Sequence, residues 1–221
     1  MAVPLNATER VLAAIDRGRG QDPGPIRIAV DGRDAAGKTT FADRLAAELA
    51  VRGTEIYRAS IDDWQHPPGI RYRRGRFSPE GYYFDGFDFE DARRRLLEPF
   101  STGAGFSLRA YDIEREQAVE DDIIVAGSGS LLIVDGVFLF RAELQSCFEL
   151  GVYLRVSRRT SIDRGVARDA ARSGDAILER QLYERRYAPA QDRYHEEVSP
   201  EDFADLVIDN EDVENPVVVH G

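Results

Sequence analysis

Residues 26–39 read IRIAVDGRDAAGKT: an apolar run, a turn framed by glycines, then a lysine and a threonine opening an amphipathic helix. Gly32 to Thr39 fits the pattern GxxxxGK[ST], and its flanks supply the strand and the helix that this pattern requires. The glycines let the backbone curl so that successive N–H groups converge on an anion, and the following helix directs the positive end of its dipole there. Lys38 is also the only lysine among 29 lysines and arginines. A compact ammonium slides between phosphate oxygens as a point charge, whereas a guanidinium prefers a fixed fork of hydrogen bonds. The stretch Gly32, Arg33, Asp34, Ala35, Ala36, Gly37, Lys38, Thr39 and Thr40 is therefore the expected cradle for a nucleotide's phosphates. Lys38 would reach the β and γ phosphates, and Thr39 would offer its hydroxyl to Mg²⁺. The alternative is an ordinary glycine-rich strand-to-helix turn with a surface lysine.

With 221 residues and 43% hydrophobic side chains, the chain suits one domain spanning 1–221. A net charge of −11 argues against a nucleic-acid or anionic-membrane surface and in favour of small-molecule partners. A single cysteine, Cys147, excludes an internal disulfide and a cysteine-rich zinc cluster. No signal pattern opens the sequence, and no apolar run approaches the ~18–20 residues that span a bilayer, so a soluble, cytoplasmic protein is expected. Asn6 and Glu9 read as a capping box for a helix through Val11, Leu12 and Ile15. The segment GRGQDPGP, residues 18–25, reads as a linker.

Beyond that linker the chain alternates in a βα rhythm. EIYRAS, SLLIVDG, GVYLRV and ADLVID join IRIAVD as strands, giving an expected α/β, P-loop NTPase fold: a five-stranded parallel sheet flanked by helices. The Pro- and Gly-rich stretch Gln65 to Gly86 is too long for a simple connection. A short helix over Glu90 to Glu98 is expected to end at Pro99, and Phe106 to Val125 to form a hairpin or edge strands. Ser157 to Val198 reads as two arginine-rich helices broken near Ser173 and Gly174.

Phosphoryl transfer needs positioning and charge neutralisation, so acids at strand ends and mobile cations are the informative residues. Asp62 and Asp63 follow the second strand, and either could accept a proton from an attacking hydroxyl or simply cap a turn. Asp135 ends LLIVD and suits the metal side, with a turn role as the alternative. Arg158, Arg159, Arg164 and Arg168 could fold over phosphates as a lid or form a solvated, ion-paired face. Arg71, Arg73, Arg74 and Arg76 could be a solvated loop or touch an anionic substrate. GYYFDGFDF, residues 81–89, could stack a planar ring or pack the core, and no histidine has metal-ligand spacing.

Together these residues resemble the uridine kinase and phosphoribulokinase family of P-loop kinases over nearly the whole chain. The anchors, in order, are GRDAAGKTT, SIDDW, FDGFDFE, RAYD, LIVDG, RGVARD, YAPA and FADLVIDN. The resemblance implies ATP- and Mg²⁺-dependent transfer of a γ-phosphoryl group to a primary hydroxyl, with a nucleoside as the leading acceptor class. It gives phosphate and metal roles to Gly32, Gly37, Lys38 and Thr39, the base to Asp62, the metal-side acid to Asp135, and the lid, near residues 157–173, to Arg164 and Arg168. Asp62 would join Thr39 and Asp135 at the metal. An acceptor-binding insertion near 65–125 would contribute Tyr82, Asp85, Tyr111 and Glu116, together with Asp63. At three places this sequence differs from uridine kinases: Tyr82 stands for an Asp that holds the ribose, Glu116 for a His that contacts the base, and Ser161 for a ribose-binding Arg. The alternatives are a kinase for another hydroxyl metabolite, such as a sugar phosphate, a vitamin precursor or a modified nucleoside, or a regulatory ATPase. Family members are commonly oligomeric, which leaves a homo-oligomer open here.

Overall fold

The computed structural model describes residues 6–18 and 24–221. The expected linker at 18–25 lies largely outside them. Among the described residues eight strands form: β1 (Ile26–Gly32), β2 (Ile56–Ser60), β3 (Tyr111–Asp112), β4 (Gln117–Ala118), β5 (Leu131–Asp135), β6 (Leu150–Arg155), β7 (Leu206–Asp209) and β8 (Val217–His220). Six of them make one sheet in the order β2-β5-β1-β6-β7-β8, and β3 and β4 pair separately.

Every residue of β1 and β5 is buried, as the mostly apolar sequences of strands covered on both faces lead one to expect, and the charged Arg27, Asp31 and Asp135 are buried with them. Alternate side chains serve two cores. Ile28, Val30, Leu131 and Ile133 pack with the helices Ala7–Gly18 and Lys38–Val51, while Ala29, Leu132 and Val134 face the aromatic core of Trp64, Phe100, Phe106 and Phe138. The capping box forms: Asn6 Oδ1 accepts from the Glu9 amide at 2.9 Å and Glu9 Oε2 accepts from the Asn6 amide at 2.7 Å.

Two expectations need correction. The sheet has a sixth strand, β8, which runs antiparallel to β7. Its four residues are too few to show a burial pattern, and three of them are exposed. The helix expected to stop at Pro99 continues to Thr102 and is ended by Gly103 at φ 70°. Proline has no N–H to donate and its ring crowds the carbonyl one turn back, so the helix widens to a π turn at Arg93–Leu97 instead of ending. The same device recurs before Pro189, where Tyr183–Tyr187 is the widened turn.

After β6 the chain forms the helix Arg158–Ser173, capped by Ser157, whose hydroxyl accepts from the Thr160 amide at 3.1 Å. Gly174, at φ 75°, ends it where a break was expected. The chain returns through Ala176–Leu182 and the π turn to the helix Ala188–Val198. Ile162, Val166, Tyr183 and Ala188 form a small apolar cluster of their own in this returning pair. Gly165 makes that packing possible, because a Cβ there would lie 2.1 Å from the Tyr183 ring.

Candidate active site

The parallel strands end on one edge of the sheet, where ligands of open α/β folds bind. β1 lies between β5 and β6, and its end leads into the glycine loop. Register sets Val30 of β1 and Ser60 of β2 beside Asp135 of β5. Gly37 has φ 92°, and a Cβ there would lie 2.8 Å from Asn210 Nδ2, so both the turn and its support from β7 require glycine. Asn210, the residue after β7, donates to the Ala36 carbonyl at 2.7 Å. Lys38 is buried and turned inward, its ammonium donating to the Arg33 carbonyl at 2.8 Å across the loop. The glycine loop and this ammonium thus stand together at the mouth of the helix Lys38–Val51, where the positive end of a helix dipole favours anions.

A cavity of about 490 Å³ opens over the cradle and is lined by Asp34, Ala35, Gly37, Lys38, Thr39 and Thr40, by Asp62 and Asp135, and by Arg164 and Arg168 of the lid helix. Asp135 accepts the Thr39 hydroxyl at 2.6 Å on one oxygen and Arg58 at 2.9 Å on the other. Arg164 donates to the carbonyls of Asn210 and Glu211 at 3.0 and 2.7 Å, which ties the lid helix to the end of β7.

A second cavity of about 400 Å³ adjoins the first and includes Gln65, Arg71, Tyr72, Tyr82, Glu116, Tyr183 and Arg186 in its wall. Three residues line both cavities: Asp34, Asp62 and Arg168. Arg168 is held by Asp169 at 2.9 Å and by the Tyr183 hydroxyl at 3.1 Å. The Asp62 carboxyl, facing the space where the cavities meet, is pushed up to about 6 by the solvation it loses to the surrounding cavity walls and by the neighbouring Asp34 and Asp135 charges, against the pull of Lys38. Asp34 is also raised by burial, with Lys38 and Arg168 opposing.

The remaining expected residues fall in different places. Tyr82 and Glu116 line the second cavity, where Tyr82 donates to Asp34 at 3.2 Å and Glu116 accepts from Arg71 at 3.2 Å. Asp63, Asp85 and Tyr111 line neither cavity. Asp63 is raised by burial, with Arg109 opposing. Asp85 is buried under Arg73 and Arg74. Tyr111 packs beneath Arg71, 5.9 Å from ring centre to guanidinium. Arg33 turns from the cradle to Asp192 at 2.8 Å, and Gly32 and Ala36 are buried in the loop itself.

Sequence reasoning missed several supports. Asp31 is fully buried and accepts from the Gly32 amide at 2.6 Å, the Leu139 amide at 3.0 Å and the Tyr194 hydroxyl at 2.5 Å. Burial pushes its carboxyl up to about 6 despite these donors. Its position at the end of a strand, the same signal that marked Asp135, could have found it. The helix Ala188–Val198 grips the loop at three points: Tyr194 on Asp31, Asp192 on Arg33, and Gln191 on Asp34 at 2.5 Å. Nothing local in the sequence signals those pairings.

Cradle, adjoining cavities and helical lid at one sheet edge define a P-loop phosphotransferase that uses an alcohol group as acceptor. The chain belongs to the Phosphoribulokinase / Uridine kinase family, which it matches over residues 27–211. No curated protein sequence matches it. Among solved structures it is similar to one described as a possible uridine kinase from Bacillus stearothermophilus, at 24% identity and TM-score 0.71, covering 90% of this chain and 94% of that one. It is also similar to D-glycerate 3-kinase from Cryptococcus neoformans, at 13% identity and TM-score 0.59, covering 96% of each. Identities this low show a common fold alone.

Proposed function

We propose that this protein transfers the γ-phosphoryl group of ATP to a hydroxyl of a small polar metabolite, with Asp62 as the base. The observation that carries this reading is the pair of adjoining cavities sharing Asp34, Asp62 and Arg168. A γ-phosphate over Lys38 and an acceptor hydroxyl in the second cavity would meet there, with a carboxylate to take the proton and a guanidinium to neutralise developing charge. Arg164 and Arg168 act from the lid, near residues 157–173, and the insertion near 65–125 supplies the acceptor wall.

The donors around Thr39 fit Mg²⁺. Among the described residues no group of three or more His, Cys, Asp or Glu side chains could hold a metal ion. Mg²⁺ seldom needs one, because it keeps waters and takes phosphate oxygens alongside one or two carboxylates. Thr39 and Asp135 would hold it, with Asp62 alongside, and when bound it neutralises charge on the phosphates. Asp135 already orients the Thr39 hydroxyl, and Arg58 fixes Asp135.

A nucleoside is the acceptor class that the resemblance implies. A second reading, another hydroxyl metabolite, is favoured by how three positions are used. Tyr82 is tied to Asp34, Glu116 to Arg71, and the Ser161 hydroxyl donates to the Asp34 carbonyl at 2.8 Å. Among the described residues no helix is long and apolar enough to cross a membrane. A cytoplasmic enzyme working on soluble metabolites accords with that and with a lone, buried Cys147. ADP release measured over nucleosides, sugars, sugar phosphates and hydroxy acids tests the proposal. Slow ATP hydrolysis indifferent to every acceptor would replace it with a regulatory ATPase.

A further inference from the structure

Asp34 is an acid inside a loop built to hold phosphates. A carboxylate facing a triphosphate at a few ångströms costs several kcal/mol in a partly desolvated site. Its side chain is held where the two cavities meet, with a partner in the wall of the second. The Tyr82 hydroxyl, in the wall of the second cavity, spans both its oxygens at 3.3 and 3.2 Å, and Gln191 Nε2 donates to Oδ2 at 2.5 Å. An ionised carboxylate accepts about four hydrogen bonds. Oδ2 is the better satisfied oxygen, whereas Oδ1 has only the long share of Tyr82. Ser161 fixes the backbone beneath by donating to the Asp34 carbonyl at 2.8 Å. Asp34 thus lies beside Asp62 where the cavities meet, held from two sides and with accepting capacity left on Oδ1.

We propose that Asp34 is an acceptor-binding residue whose Oδ1 takes a hydroxyl neighbouring the one that is phosphorylated, so that the enzyme's acceptor is a polyol. Two carboxylates at the junction then divide the work: Asp62 faces the reacting hydroxyl, and Asp34 sets its angle through the next one. The pair also rejects an acceptor with an acid group adjacent to its reacting carbon, because three like charges would meet. This inference rests on the kinase reading above and specifies the chemistry of its acceptor.

The test compares acceptors that differ by one hydroxyl, a pentose and its deoxypentose or a ribonucleoside and its 2′- and 3′-deoxy forms, in the wild type and in Asp34→Asn. Asparagine keeps the shape, and Gln191 can turn its unpartnered Oε1 toward the new amide. The expected result is a KM for the full polyol raised about 10- to 100-fold, the loss of one hydrogen bond to a charged group, with ATP affinity equal or tighter. The acceptor lacking the neighbouring hydroxyl should bind both proteins alike. Tyr82→Phe, which frees Asp34 from one support, should shift the same KM in the same direction by a smaller factor. An equal loss with both acceptors, or weaker ATP binding without acceptor discrimination, would overturn the inference and leave Asp34 a cradle residue only. If wild type bound ATP but turned over no acceptor, the kinase reading would fail separately. Equilibrium binding of the same acceptor pair to protein loaded with a non-hydrolysable ATP analogue would then decide the inference, and equal affinity for both members would overturn it.

Discussion

The Thr39 hydroxyl donates to Asp135 at 2.6 Å, so the second residue of the cradle helix and the last residue of β5 are already joined across the floor of the phosphate cavity. Asp135 can turn from Thr39 toward a cation without a backbone shift, because Arg58 keeps its other oxygen in place. Asp135→Asn should therefore raise the Mg²⁺ concentration needed for half-maximal turnover about 10- to 100-fold. A Mg²⁺ titration of initial rates checks this, and an unchanged midpoint would remove Asp135 from the metal side.

Asp62 is open to both cavities, and its role as base separates chemistry from donor binding. Asp62→Asn should lower kcat by about 10²- to 10⁴-fold while ATP affinity stays within a few-fold. Retained kcat would show that the acceptor hydroxyl loses its proton without this carboxylate.

Gly165 and Tyr183 set the spacing of the lid helices, and Tyr183 in turn holds Arg168. Alanine normally stabilises a helix by about 1 kcal/mol over glycine. At this position the ring must move, so Gly165→Ala should instead cost about 1–3 kcal/mol and lower kcat through a displaced Arg168. Thermal unfolding with steady-state rates tests both parts, and a variant more stable than wild type would refute the packing argument.

His195 shares a hydrogen bond of 2.7 Å with the Tyr153 hydroxyl, and burial, with Arg33 nearby, lowers its pKa from 6.5 to about 4. The folded state therefore keeps the ring neutral where the unfolded chain binds a proton. The resulting stability is fully present above pH 6.5 and is lost as pH falls toward about 4, by at most about 3 kcal/mol. Asp31 acts with the opposite sign: its carboxyl is raised to about 6, so its contribution falls as pH rises from 3.8 through 6. Comparing wild type with His195→Gln by denaturant unfolding across pH 4–7 isolates the histidine. The variant should lose less stability on acidification, and parallel curves would show that His195 is protonated in the fold.

Reading by strand, loop and helix worked where the physical signal was local. The apolar runs of β1 and β5, the glycine loop and the break at Gly174 each declare themselves within a few residues. Pro99 misled because the tendency of proline to end a helix was met by a π turn, an option that tertiary packing selects. Candidate residues divided in the same way. That Asp62, Asp135, Lys38 and Thr39 line one cavity follows from their positions at strand ends and in the glycine loop, whereas the placing of Asp85 under Arg73 and Arg74 depends on how the 65–86 loop folds back. Support for the cradle from Tyr194, Asp192 and Gln191 comes from more than 150 residues away in the chain, about as far as it could from a local pattern. Asn210 lay in a recognisable segment, but its task of holding Ala36 is visible only once β7 is set beside β6.

In the proposed reaction, the loop around Lys38 delivers a phosphoryl group across the junction at Asp62 to an alcohol. The most direct measurement is the fate of the label from γ-³²P-ATP in a single turnover with a panel of hydroxyl acceptors. Label should pass into a phosphate ester of at least one acceptor with wild type, and Lys38→Ala should abolish the transfer. Label appearing only as inorganic phosphate, at one rate with or without every acceptor, would contradict it.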